Sequence, residues 1–410
     1  GQTALYRDIE LPLCTVLANM EHDGFKVNTE FLKNFGEKLD TEIADCTAAI
    51  YLYAGHEFNI NSTKQLAAVL FDEMCLPYPK GKKTKTGYST ANDILEKVRD
   101  ACEDPIIDNV IEYRKLSKLK STYIDGLLKK VGEDGRIHTV FTQTVTQTGR
   151  ISSTEPNLQN IPVRTELGRQ LRKAFEAREG CTLIDADYSQ IELRVLAHIA
   201  DDENMKRAFI EDRDIHTATA AQVFGLPEAM VTPELRRRAK AVNFGIVYGI
   251  GEYSLSQDIG VSFREAKNYI ENYFRTYSGV KKYMDGIIES AKEKGYVETM
   301  FARRRYVPDI NAKNKQLQAF ASRVCRNTPI QGTAADLIKL AMVRVFDRLE
   351  KSGTGARLIL QIHDELIIEA PVEKEKEISE MLKYEMEHAA NLSVPLLADV
   401  NAGKTWYESK

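Results

Sequence analysis

No apolar run in the chain approaches the roughly 20 residues that a membrane-spanning helix needs, and no charged-then-apolar leader pattern opens it. The six cysteines (Cys14, Cys46, Cys75, Cys102, Cys181 and Cys325) are scattered, with no C-x-x-C among them. Their spacing argues against structural zinc and against a disulfide framework, and it fits a reducing compartment. The seven histidines form no H-x-H or H-x-x-x-H pair. A metal held by this chain would therefore be a hard ion on carboxylate oxygens. Strong net charge is also missing, because the balance is only −4. The total neither implies nor excludes a polyanionic partner, and the distribution of charge has to decide.

What is present is ordinary soluble composition in a long chain. The 410 residues are 43% hydrophobic and 28% charged, enough for two or three domains with a large core. An opening of Gly1-Gln2 without Met reads as an excised fragment or a processed chain, and a cytoplasmic location is expected. Basic residues gather in five places: Lys80, Lys82, Lys83 and Lys85; Arg114, Lys115, Lys118 and Lys120; Arg164, Arg169, Arg172 and Lys173; Arg236 to Arg238; and Arg303 to Arg305. A solvated face explains any one of them. Five in a net-acidic chain favour a basic channel.

The first third reads as helical. Leu13, Val16, Leu17 and Met20 fall at helical spacing, as do Phe31, Phe35, Leu39, Ile43, Cys46 and Ile50 after an Asn28-Thr29 start. Composition shifts near Gly132-Glu133-Asp134-Gly135, and the β-branched stretch 137–148 predicts strands. The loop that follows carries Arg150, Asn157, Gln159, Asn160 and Arg164 on a turn scaffold; ligand contact and surface solvation explain it equally well. Residues 201–300 read as helical again.

Two acidic stretches stand out. Leu183 to Arg194 reads as a short buried strand bearing Asp185 and Asp187 that turns into an amphipathic helix. Ser189-x-x-Glu192 at that turn has the form of a capping box. Farther on, Leu358-Ile359-Leu360 and Leu366-Ile367-Ile368 flank His363-Asp364-Glu365, predicting a hairpin of buried strands with an acidic tip. Carboxylates at a buried tip are costly unless a cation sits against them, which makes Asp364 the natural partner of Asp187. Between the two lies Thr232-Pro233-Glu234, a cap, a first-turn proline and a first-turn acid. The helix it opens carries Arg236, Lys240, Phe244 and Tyr248 at i+4 steps. Two cations followed by two aromatic rings suit a phosphate chain ending in a flat ring better than they suit a core. Asp8-Ile9-Glu10, although a D-x-E, reads as surface charge.

These stretches resemble known motifs. Asp187 to Arg194 is similar to motif A of the family A DNA polymerases, the bacterial DNA polymerase I group; Arg236 to Gly249 resembles motif B, and His363-Asp364-Glu365 resembles motif C. Thr148-Gly149-Arg150, Asn157 to Pro162, Asp214 to Thr217, Gln331 to Asp336 and Lys85 to Thr90 extend the likeness over nearly the whole chain. The resemblance implies an α+β multidomain right hand. An N-terminal helix and thumb would span 1–130, an antiparallel-sheet palm 131–199 and 313–410, and helical fingers 200–312. It implies a DNA-templated DNA polymerase that works as a monomer on primer-template DNA and deoxynucleoside triphosphates, away from membranes and with the bacterial nucleoid. The family's nuclease domains would precede Gly1, so no proofreading nuclease is expected in this chain.

The resemblance also implies roles. Asp187, Asp364 and the backbone carbonyl of Tyr188 would bind two Mg2+ ions. Arg236, Lys240 and His216 would hold the triphosphate, with Lys240 also catalytic. Phe244, Tyr248 and Gln190 would border the nucleotide, and Glu192 would exclude a 2′-hydroxyl. Arg150, Asn157, Gln159, Arg164, Asn327, Gln331, His363 and Lys85 would touch DNA. The chain departs from the family pattern at Ala302, where glycine is usual, and at Ser322, Cys325 and Arg326.

Overall fold

The computed structural model describes residues 1–79, 87–163 and 165–410. The chain divides into two compact units. One comprises Gly1–Phe25, His138–Asn160 and Glu176–Lys410, and the other Lys26–Ile137 and Ile161–Phe175.

The first unit is built on a four-stranded antiparallel sheet. The elements that frame this sheet and the helices around it include, in chain order, α1 (Leu11–Asp23), β1 (Cys181–Tyr188), α2 (Ile191–Ile199), α3 (Ile215–Phe224), α4 (Pro233–Val247), α5 (Phe263–Thr276), α6 (Ser278–Lys294), α7 (Lys315–Ser352), β2 (Arg357–Ile362), β3 (Glu365–Pro371), α8 (Glu375–Glu387) and β4 (Ala398–Gly403). The strand order is β4-β1-β3-β2. β1 is central and almost wholly buried, which is why it reads as a continuous apolar run broken only by its two aspartates. β2 and β3 close through the two-residue turn His363–Asp364, with Ile362 opposite Glu365. His363 takes the left-handed φ of 50° there, an uncommon backbone state for a residue with a Cβ.

The 38-residue α7 starts on an Asn314 side-chain cap and runs through Pro329. It packs against α1, α2, α6 and α8. Glu10, just before α1, is bonded to Arg303 and, at 2.7 Å, to Lys339 of α7; Arg303 also binds Asp336 at 2.6 Å. Asp336 and Lys339 are fully buried. The surface-charge reading of Glu10 is thereby corrected. It belongs to a four-residue buried ion cluster that ties the start of the chain into the first unit, although the sequence reading grouped 1–25 with residues up to 130. The strand expectation over 137–148 also shrinks, because within this unit only Val140–Thr142 pairs, with Ser152–Thr154. Val145 is 69% exposed, so β-branched composition alone found no partner strand there.

The second unit is helical. Thr29–Ala54 begins on the Asn28 side chain and packs against Pro105–Lys118, whose cap is Asp104 and whose first residue is proline. Ile50, Leu66, Leu70, Leu95, Val98, Ile106 and Val110 form its core. Lys80, Lys82, Lys83, Lys85 and Arg164 lie outside the described residues.

Candidate active site

The turn from β1 into α2 sets the floor of the site. The Tyr188 N–H donates to the Asp364 carbonyl at 3.0 Å, and the Ser189 N–H donates to the Leu397 carbonyl at 2.9 Å. The first of these bonds ties the end of β1 to the hairpin tip and brings Asp187 and Asp364 to one place. The Tyr188 ring points away from it, buried, with its hydroxyl donating to the Met386 carbonyl at 2.6 Å. Gln190 follows at φ 55° and starts α2 without a side-chain cap. The capping box does not form. Glu192 instead accepts from Arg150 Nη2 at 2.7 Å and from the Tyr248 hydroxyl at 3.2 Å, and it hydrogen-bonds Gln331. Burial pushes its carboxyl up, with Arg150 opposing.

α4 supplies the facing wall. Thr232 caps it by accepting from the Leu235 N–H, and Pro233 is its first residue, as the sequence predicted. Inside it, a Cβ on Gly245 would lie 2.7 Å from the Ile250 side chain, and Gly249 turns the chain at φ 70°. The helix can therefore end with Ile250 folded back against it. Arg236 is clamped by Asp214 through two bonds, Nε–Oδ1 at 3.1 Å and Nη2–Oδ2 at 2.6 Å. Asp214 also caps α3 by accepting from the Thr217 N–H. Against its partial burial, Arg236 and Thr217 hold the Asp214 carboxyl down to about 2. Phe244 and Tyr248 lie with ring centroids 6.5 Å apart at 20°. His216 of α3 sits 5.8 Å from the Phe244 ring.

Arg150, Asp187, Tyr188, Gln190, Glu192, His216, Arg236, Lys240, Phe244, Tyr248 and Asp364 line one cleft of about 410 Å³. The other expected contacts are placed elsewhere. Gln159 donates to the carbonyl and side-chain oxygens of Gln361, both at 3.3 Å, which fastens its loop to β2. Asn157 accepts from the Gln159 N–H in a local turn. Asn327 and Gln331 lie on α7, and Gln331 reaches the cleft only through Glu192 and Tyr248. His363 is exposed at the hairpin tip. Ala302 sits at φ 63°, a left-handed state that explains why glycine is at home there.

The sequence reading missed three groups. Lys410 Nζ lies 2.9 Å from Asp187 Oδ2 and 2.5 Å from Glu365 Oε2, and Trp406 Nε1 donates to Glu365 Oε1 at 3.0 Å. Burial alone would lower the Lys410 ammonium, but Glu365, Asp185 and Asp187 together raise it. Asp185, on the buried strand, is 2% exposed. Burial and then Glu365 push its carboxyl well above the carboxylate range, leaving it protonated at neutral pH. The third is Asp214, whose place as the residue immediately before the helical run at 215 was the available signal. Nothing local pointed to Lys410.

The donor set fits a hard divalent ion. Asp187 and Asp364 come from adjacent ends of the sheet, and Lys410 already shows that Asp187 attracts a cation. Among the described residues no group of three or more His, Cys, Asp or Glu side chains converges on one point. An ion held by this pair would complete its shell with water and ligand oxygens. Burial raises the Asp364 carboxyl, as does Asp187, while Arg150 lowers it; a bound cation would reverse that balance.

Paired carboxylates, two cations, a histidine and two rings facing one space define a site for a polyanionic ligand that carries a flat ring. Comparison with known proteins agrees. The DNA polymerase family A profile matches residues 29–408, and the chain belongs to that family, whose members depend on divalent metal. DNA polymerase I of Lactococcus lactis subsp. cremoris is 50% identical over 410 residues, and that of Bacillus caldotenax is 52% identical over 412. Both alignments cover 100% of this chain and 46% of the relative, so the chain spans about half the length of the curated relatives it matches. The solved POL domain of Pol1 from M. smegmatis, in complex with DNA primer-template and dNTP, superposes with a TM-score of 0.94 at 43% identity. That match covers 99% of this chain and 71% of that one. The fold is accordingly the α+β fold of a family A polymerase. No described helix is long and apolar enough to cross a membrane.

Proposed function

We propose that the chain is the polymerase portion of a DNA-directed DNA polymerase. It adds deoxynucleotides to a primer 3′-hydroxyl on a DNA template. The observation that carries this reading is the single cleft in which the Asp187–Asp364 pair faces Arg236, Lys240 and His216 across a space bordered by Phe244, Tyr248 and Glu192. In the reaction the primer oxygen forms a bond to the α-phosphorus, the bond from that phosphorus to the bridging oxygen breaks, and pyrophosphate leaves.

Two Mg2+ ions held by Asp187, Asp364 and the Tyr188 carbonyl would supply Lewis acidity at the reacting phosphate and at the attacking and leaving oxygens. The remaining work falls to the chain's own groups. Arg236, pre-aimed by Asp214, and Lys240, exposed on the same helix stripe, bind the β- and γ-phosphate charge, and Lys240 meets the leaving pyrophosphate. Phe244 and Tyr248 offer faces to the base and sugar. Glu192, locked by Arg150 and Tyr248, cannot swing aside for a 2′-hydroxyl, so it selects the deoxy sugar. Gln190, whose Oε1 is buried without a partner, borders the same space. Residues 131–199 and 313–410 would serve as palm, 200–312 as fingers, and 1–130 as N-terminal helix and thumb. Arg150, Asn327, Gln331 and His363 would approach the primer-template, with Asn157 and Gln159 supporting the loop that carries Arg150.

The test is primer extension with Mg2+ by Asp187→Asn and Asp364→Asn, alongside a DNA-binding measurement. Both variants should lose extension and keep most of their binding. Extension retained by either one removes it from the reaction.

A further inference from the structure

Behind the cleft, Tyr277, Thr219 and Asn243, none of which has a role above, form one hydrogen-bonded row that ends on His216. The Tyr277 hydroxyl lies 3.0 Å from the Thr219 hydroxyl, Thr219 donates to Asn243 Oδ1 at 3.1 Å, and Asn243 Nδ2 lies 3.0 Å from His216 Nδ1. His216 and Thr219 are one turn apart on α3, Asn243 lies on α4 beside Phe244, and Tyr277 stands between α5 and α6. Thr219 and Asn243 are fully buried, Tyr277 is 2% exposed and His216 3%. Only the His216 ring borders the cleft.

The row has a direction. An amide nitrogen carries only hydrogens, so the His216 Nδ1 facing it must be the lone-pair nitrogen. The ring proton is then on Nε2. The row runs phenol to hydroxyl, hydroxyl to amide oxygen, amide nitrogen to imidazole, so Thr219 and Asn243 each accept once and donate once. Turning the Asn243 amide over would reverse the row, placing the ring proton on Nδ1 and a lone pair where a phosphate oxygen has to sit.

We propose that Asn243 is a positioning residue which, oriented by Thr219 and Tyr277, fixes His216 as the neutral tautomer whose Nε2–H donates to an oxygen of the bound triphosphate. The inference rests on the polymerase reading for its ligand, while the tautomer itself is a property of the free protein. Two features agree with it. Burial pushes the Tyr277 phenol up to about 12, so it keeps the proton it donates. Burial holds His216 down to about 4, with Asp214 opposing and Arg236 and Lys240 reinforcing, so the ring is neutral at working pH. The triphosphate then meets a donor that adds no third positive charge beside Arg236 and Lys240.

The experiment is nitrogen-15 NMR of the histidine rings in the whole chain, with the His216 signal assigned by its loss in His216→Gln, and steady-state primer extension on the same samples with Mg2+. Wild type should show His216 protonated on Nε2 alone. Thr219→Val, which keeps the shape and removes the donor that orients the amide, should give a mixture of tautomers. Its KM for the triphosphate should rise by the inverse of the fraction still protonated on Nε2, about twofold for an even mixture, with a much smaller change in kcat. Asn243→Asp, which can only accept, should move the ring proton to Nδ1. If wild-type His216 carries its proton on Nδ1, or if Thr219→Val keeps a pure Nε2–H signal and an unchanged KM, the inference is overturned, and primer extension by wild type leaves the polymerase reading standing. An Nε2–H signal in a chain that extends no primer would instead sink the polymerase reading and, with it, the triphosphate half of this inference.

Discussion

Glu10→Ala is the sharpest test of how the start of the chain is held. Glu10 is bonded to Arg303 and Lys339, and Asp336 completes a cluster of two cations and two anions. Side-chain exposure is 18% for Glu10, 17% for Arg303 and none for Lys339 or Asp336. Removing Glu10 leaves one uncompensated positive charge beside two wholly buried groups, Lys339 and Asp336. Breaking a buried pair from one side costs about 3–5 kcal/mol, a large part of a typical unfolding free energy of about 5–15 kcal/mol. Urea denaturation at pH 7 should show that loss as a lower midpoint at unchanged slope, whereas Asp8→Ala, at an exposed pair with Arg7, should leave the midpoint in place. The double variant Glu10→Leu, Lys339→Met should lose less than the sum of its single changes, because it removes both charges together.

The pH dependence follows from the same cluster. Burial alone would raise the Glu10 carboxyl, but Lys339 and Arg303 outweigh it and hold it low. Its contribution is therefore complete above the unfolded value of about 4.3 and is lost as pH falls through the lower folded value. The gap between wild type and Glu10→Ala should narrow in acid. A loss below about 1 kcal/mol at pH 7, smaller than any buried-pair truncation of this kind, would refute the reasoning.

Two further outcomes are expected at the cleft. Lys410→Met removes the ammonium that competes for Asp187 and leaves Asp187 and Glu365 without their cation, so half-maximal extension should need less Mg2+ than in wild type; a higher requirement would show that Lys410 assembles the site. Glu192→Ala should raise ribonucleotide incorporation relative to deoxynucleotide by at least tenfold, about 1.4 kcal/mol of lost discrimination, and Arg150→Ala should move in the same direction by unlocking Glu192. Equal sugar selectivity in all three proteins would assign the barrier elsewhere.

Features written in neighbouring residues could be read before any coordinates. The Thr232-Pro233 cap, the buried strand ending at Tyr188 and the hairpin around His363–Asp364 depend on local propensity and alternation, which a sequence displays directly. What stayed hidden depends on partners far along the chain. Lys410 meets Asp187 across 223 positions, and Arg303 meets Glu10 across 293. Ser189-x-x-Glu192 misled because the pattern is local while the competition is not: a buried carboxylate offered both Arg150 and Tyr248 gains more from them than from a backbone N–H. Gln159 likewise has a distant partner that the sequence does not display, donating from its Nε2 to Gln361. Asp185 and Asp187 are two residues apart on one face, and only the depth of the sheet distinguishes a protonated interior acid from the one at the rim.

The bond from the Tyr188 N–H to the Asp364 carbonyl is main chain to main chain. The separation of the two cleft carboxylates is thus set by a rung of the β-ladder and the pleat on either side of it, with no side chain acting as a spacer. Side chains lining the cleft can change, altering which sugar or base is accepted, while that rung keeps the two acids in step. A one-residue slip in the β1–β3 register would turn Asp187 to the opposite face of the sheet. Specificity in such a site can drift by substitution, whereas its chemistry is lost chiefly through the acids themselves or through errors in strand pairing.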